Sequence, residues 1–118
     1  MLIEKEFVFD SAHFLPFVGL DHKCRRLHGH TYKVVIGVEG DVNDTGWIMD
    51  FADISAGVQP VLQSIDHTLL NAVEGLDNPT AENIATWIFT RVKKIIPLLS
   101  FVSVQEGQSS RVIYPRRP

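Results

Sequence analysis

The chain has 118 residues, 45% of them hydrophobic and 21% charged, with 11 Lys+Arg against 14 Asp+Glu for a formal net charge of −3. That length suits one domain, residues 1–118, with a real core. The acidic balance argues against a dedicated nucleic-acid-binding module, and no apolar run approaches the roughly 20 residues that span a bilayer.

Residues 2–9 alternate, with Glu4 and Glu6 against Ile3, Phe7 and Phe9, which predicts a strand. Residues 14–27 carry Pro16, Gly19, Asp21 and a basic run and read as a long loop. Residues 32–38 are rich in β-branched side chains and predict a second strand, followed by turn chemistry at 39–46. Residues 51–65 place Phe51, Ile54, Val58, Val61, Leu62 and Ile65 on one helical stripe, with Asp50 as N-cap and a kink expected at Pro60. A second helix is expected over 80–96, after Asn78-Pro79-Thr80, with Pro79 suited to the first turn. Ile84, Trp87, Ile88, Val92 and Ile95 follow helical spacing, and Pro97 stops it. Residues 101–106 and 111–114 are the last two strands.

The order β-β-α-α-β-β implies an α+β fold: a four-stranded antiparallel sheet with two helices on one face. Such a sheet has open edges, which neighbouring copies can cover. The N-terminal stretch is charged and acidic where a signal peptide would be basic and then apolar, and one cysteine allows no intrachain disulfide. A cytoplasmic protein is the expectation.

Four of the five histidines lie between His13 and His30. Residues i and i+2 of a strand share a face, so His28 and His30 can grip one cation, with Gly29 putting no bulk between them. His13 follows the first strand, in Ser11-Ala12-His13, and that strand is expected to pair with theirs. Three histidines with an open fourth position are the pattern of catalytic zinc, not structural zinc. Surface histidines are the plain alternative. His22 is left to solvent or anion contact.

Cys24 stands in His22-Lys23-Cys24-Arg25-Arg26, where positive charge favours a thiolate able to act as base or nucleophile. An inert buried thiol and a fourth zinc ligand stay open. Asp66 can orient the imidazole of His67, although adjacent side chains rarely face each other; a helix C-terminal region is an equal reading. Glu106 can bind the amidine-like edge of a heterocycle or simply face solvent.

Ser11-Ala12-His13, Cys24-x3-His28-Gly29-His30, Asp66-His67, Asn78-Pro79-Thr80-x-Glu82-Asn83 and a late Glu106 together resemble the 6-pyruvoyl-tetrahydropterin synthase superfamily. The resemblance spans nearly the whole chain in order. The Cys-x3-His-Gly-His spacing is most similar to the bacterial branch that makes 6-carboxy-5,6,7,8-tetrahydropterin for queuosine (7-deazaguanine) biosynthesis.

The resemblance implies zinc on His13, His28 and His30, and a catalytic triad of Cys24, Asp66 and His67. It implies pterin anchoring by Glu106 and a pocket lined by Thr80 and Ala81. It further implies the tunnelling fold, with trimers stacked into hexamers, so that the triad can assemble across a subunit interface. Relatives often carry Thr after the anchoring Glu; here Gly107 supplies no hydroxyl. The implied reaction is zinc-dependent carbon–carbon lysis of 7,8-dihydroneopterin triphosphate, with Lys23, Arg25 and Arg26 as candidate triphosphate contacts. The alternatives are triphosphate elimination to 6-pyruvoyl-tetrahydropterin, a zinc hydrolase and a non-enzymatic zinc-binding module. No nucleic-acid or membrane partner is expected.

Overall fold

The computed structural model describes all 118 residues. Four strands and two helices follow in the order β1 (Leu2–His13), β2 (His28–Glu39), α1 (Phe51–Gln63), α2 (Ala81–Ile95), β3 (Leu99–Gln105) and β4 (Val112–Tyr114). They build one antiparallel sheet in spatial order β1-β2-β3-β4. Both helices lie against it, and α2 crosses β3 and β4. This is the expected α+β architecture.

Strand alternation decides what points where. On β2, Tyr32, Val34, Ile36 and Val38 are buried, and Val102 and Val104 of β3 stand opposite Ile36 and Val34. From α1 come Ile54, Val58, Val61 and Leu62; from α2 come Ile84, Ala85, Trp87, Ile88 and Val92. These close a single apolar cluster of 22 buried residues between sheet and helices. Gly37 serves a close approach: a β-carbon there would lie 2.2 Å from the Phe101 ring.

Several boundaries differ from expectation for physical reasons. Strands β1 and β2 run on to His13 and back to His28, because the two chains stay paired to the register His13–His28 despite their polar ends. Helix α1 passes through Pro60, which lies on its exposed side, where the carbonyl left without a donor can turn to water. It stops at Gln63, so Ile65, Asp66 and His67 belong to the following turn. Phe51 and Ile95 sit on half-exposed helix ends and leave the core stripe. Pro79 precedes the N-cap: Thr80 takes that place, its hydroxyl accepting the Asn83 N–H at 3.2 Å. No helix is long and apolar enough to cross a membrane.

Candidate metal centre and substrate groove

The core face of the sheet ends in histidines. Along β2 the parity that buries Tyr32 and Val34 continues to His30 and His28; along β1 the parity of Phe9 continues to Ser11 and His13. Phe9 pairs with Tyr32, Ser11 with His30 and His13 with His28. Three imidazoles therefore converge where the apolar core gives out, and His13 is only 1% exposed. Gly29 points to the opposite face and is exposed, so its missing side chain makes no room between His28 and His30.

One ring nitrogen from each of the three lies within 4.8 Å of the others. His13 donates Nδ1–H to the Pro79 carbonyl (2.8 Å), and His28 donates Nδ1–H to the Arg26 carbonyl (2.6 Å), because a carbonyl can only accept. This leaves both Nε2 atoms as acceptors, and they face each other at 3.0 Å. Two lone pairs that close repel unless a cation lies between them. Tetrahedral zinc with nitrogen ligands at about 2.0–2.1 Å holds them roughly 3.3 Å apart, so the donor set and spacing fit such an ion. The backbone carbonyls that fix the tautomers are the outer partners a histidine site needs. Tyr32 adds its ring edge-on to His13 and His30 and its hydroxyl 3.3 Å from His13 Nδ1.

Burial, reinforced by the neighbouring imidazoles, lowers the pKa of His13 and His30, with the Pro79 carbonyl partly offsetting this at His13. The unfolded chain therefore takes up these protons first as pH falls. Metal-free protein is expected to lose stability once pH drops below the ordinary histidine value of about 6.5. Glu106, whose pKa burial raises, opposes this as one group against two. Urea midpoints of metal-stripped protein at pH 7.5 and 5.5 check the sign.

A groove of about 610 Å³ opens beside the histidines, lined among others by Lys23, Cys24, His30, Thr80, Ala81 and Glu106. Cys24 is half-buried in a short 3-10 turn, Lys23–Arg25, and stands outside the cluster of mutually close ligand atoms. Its N–H donates to His22 Nδ1 (3.1 Å) and its carbonyl accepts the Leu15 N–H (2.8 Å). His22 thus caps the turn that carries Cys24 while remaining exposed to solvent.

Glu106 follows β3 on the side of Val104 and is half-buried, its Oε2 3.9 Å from His30 Nε2. Loss of water, then repulsion from Glu82, raises its pKa. Thr80 and Ala81 enter the groove as the start of α2. Arg25 does not: its guanidinium donates to the Val18 carbonyl at 2.8 Å and braces the loop. The cations lining the groove are Lys23 and Arg111. Arg111 escaped notice in the sequence because it reads as the first residue of an ordinary edge strand.

Asp66 and His67 lie elsewhere. They occupy a turn beyond α1, and His67 lines a second hollow that shares only His30 with the groove. The two adjacent side chains do face each other, Asp66 Oδ1 lying 2.8 Å from His67 Nδ1. This is possible because His67 takes a left-handed backbone, φ 53°. The Asp10 N–H, then the His67 ring, hold the Asp66 carboxyl below the usual carboxylate range. The chain therefore brings together the three histidines, Cys24, Thr80, Ala81 and Glu106, and holds Asp66 and His67 apart from Cys24.

A family model described as 6-pyruvoyl tetrahydropterin synthase matches residues 2–117. The chain belongs to the 6-pyruvoyl tetrahydropterin synthase family. It is 39% identical, over 96% of its length and 92% of the relative's, to a 6-carboxy-5,6,7,8-tetrahydropterin synthase of Synechocystis. It is likewise 39% identical to a dihydroneopterin monophosphate aldolase of Pyrococcus furiosus, over 84% of this chain and 83% of that one. The solved 6-pyruvoyl tetrahydropterin synthase of Caenorhabditis elegans superposes with a TM-score of 0.89 at 26% identity, covering 97% of this chain and 94% of that one.

Proposed function

We propose that this member of the family is a zinc-dependent carbon–carbon lyase, a 6-carboxy-5,6,7,8-tetrahydropterin synthase. It converts 7,8-dihydroneopterin triphosphate and water to 6-carboxytetrahydropterin, acetaldehyde and triphosphate, as a cytoplasmic step toward queuosine. The observation that carries the reading is one groove in which Cys24 and Glu106 flank His30 of a three-histidine cluster. The match to a 6-carboxytetrahydropterin synthase along nearly the full length of both chains supports it.

His13, His28 and His30 hold the metal through one nitrogen each. Bound zinc supplies a Lewis acid that stabilises negative charge developing on side-chain oxygens of the substrate. Glu106 accepts paired hydrogen bonds from the amino-pyrimidine edge and so presents the side chain to the metal side of the groove. Thr80, the N-cap of α2, and Ala81, its first residue, border the ring from the groove wall. The Cys24 thiolate takes and returns the proton at the side-chain carbons. His67, with Nδ1 held by Asp66, exchanges protons through Nε2.

Because His67 and Cys24 line different hollows of one chain, the triad completes between copies. The outer edge of β1 is bonded to other parts of the chain only near its end, at Asp10 and Ala12. Strand β4 is only three residues long, Val112–Tyr114. Pairing of such edges between copies gives a ring, here a trimer stacked to a hexamer.

Zinc-loaded protein with dihydroneopterin triphosphate is expected to yield the masses of the carboxylated pterin and acetaldehyde. A 6-pyruvoyl pterin, formed by triphosphate elimination without carbon–carbon cleavage, would transfer the protein to the activity for which the family is named. Glu106→Gln keeps the shape but loses the charge-assisted bonds, so KM is expected to rise by about 10–100-fold with kcat changed far less. Steady-state kinetics decide it, and an unchanged KM would remove Glu106 from ring recognition.

A further inference from the structure

Ser11 is bonded more heavily than a strand residue requires. It lies on the core face of β1 opposite His30 and is 7% exposed. Its hydroxyl is 2.7 Å from the Ile65 carbonyl and 2.6 Å from the Thr68 carbonyl, and it accepts the Thr68 N–H at 3.2 Å. The adjoining main chain completes a bracket. Asp10 N–H donates to Asp66 Oδ1 (2.9 Å), His67 N–H donates to the Asp10 carbonyl (2.6 Å), and Ala12 N–H donates to the Thr68 carbonyl (2.9 Å).

Inside this bracket sits His67, the one non-glycine residue with positive φ. A β-carbon is crowded in that conformation, which persists only where the surroundings over-determine it. The conformation is also what turns the His67 ring onto Asp66. Ile65 and Thr68 flank the pair on either side, and Ser11 is the one side chain that grips both.

We propose that Ser11 is a positioning residue whose hydroxyl clamps the 65–68 turn, holding His67 in its left-handed backbone with Nδ1 on Asp66 and Nε2 free for proton exchange. The same strand carries His13 two residues on, so one stretch of β1 sets both the metal ligand and the acid/base pair. The kinetic consequence rests on the reading of Asp66–His67 proposed above; the structural consequence does not.

The test uses the zinc-loaded full chain with Ser11→Ala and Ser11→Thr. In wild type, the ring nitrogens of 15N-labelled His67 are expected to show a single tautomer protonated at Nδ1. Ser11→Ala is expected to shift His67 toward a tautomer mixture and to lower kcat by about 10–100-fold, with KM within about twofold. Ser11→Thr keeps the hydroxyl and is expected to restore both; a role in packing alone predicts the reverse, with alanine tolerated and threonine not.

Thermal melts supply a second arm. Ser11→Ala is expected to lower Tm by roughly 5 °C, and by less than half as much in a His67→Gly background, where the left-handed backbone no longer needs holding. If Ser11→Ala does not fold, Ser11→Ala/His67→Gly is expected to fold. Wild-type His67 signals and kcat in Ser11→Ala overturn the proposal, as do an equal penalty in both backgrounds and failure of both chains to fold. If wild type turns over no pterin, the functional reading fails, while the tautomer and melting arms still decide the clamp.

Discussion

Cys24→Ala is expected to lower kcat by about 10³-fold or more while leaving zinc at one ion per chain. The magnitude is that of removing a general base from the reacting carbon. The specificity follows from where Cys24 stands. Its thiol lines the groove but lies outside the close cluster of His13, His28 and His30, so no metal ligand is lost. Its structural bonds are made by its main chain, to His22 and Leu15, and alanine keeps both. Stability is therefore expected to change by less than about 1 kcal/mol. Single-turnover rates, metal analysis and a thermal melt on one preparation give the result. Unchanged turnover with zinc retained would remove Cys24 from proton transfer and favour a hydrolase in which metal-bound hydroxide does the work. Loss of zinc would make Cys24 a ligand.

What could be read ahead of the structure depended on how local the signal was. The strand pair and the helices announce themselves through alternation and 3.6-residue stripes, and the His-x-His spacing predicts two rings on one face without any tertiary knowledge. The convergence of His13 with them also follows once β1 and β2 are paired. The boundaries of β2 were less visible, because His28 to Thr31 carry few β-formers and join the strand only through their partners on β1.

The Asp66–His67 pair is an exception to the rule that adjacent side chains rarely face each other. Its contact depends on a left-handed residue, and that residue depends on hydrogen bonds from positions 54 to 57 residues away. No local pattern encodes such a clamp. The basic run divides in the same way: Lys23 lines the groove, Arg25 is drawn off by the Val18 carbonyl, and the groove takes Arg111 from the far end of the chain. Sequence order showed which chemistry was present, whereas the long-range pairings decided which side chains could take part.

The second large effect is expected from His28→Ala, which separates a metal-holding histidine from a merely structural one. His28 is preferable to His13 for this purpose because it is half-buried at the rim, whereas His13 is sealed and its removal would also open a cavity. Dialysed His28→Ala protein is expected to retain almost no zinc, a loss beyond the roughly 10–100-fold in affinity that deleting an outer partner costs. Turnover should fall with the metal.

Stability should then order in a way that a structural histidine cannot produce. Zinc at about 1,000 times its Kd stabilises wild type by about 4 kcal/mol, so the loaded protein melts highest. Stripped of metal, wild type keeps His13 Nε2 and His28 Nε2 facing at 3.0 Å with both Nδ1 protons committed to carbonyls. Removing His28 relieves that repulsion, so metal-free His28→Ala is expected to melt at or above metal-free wild type at neutral pH. A histidine kept for packing would give the opposite order, with the variant below wild type and zinc making no difference to either. Metal analysis and paired melts with and without a chelator read all four states, and full zinc retention in His28→Ala would overturn the ligand assignment.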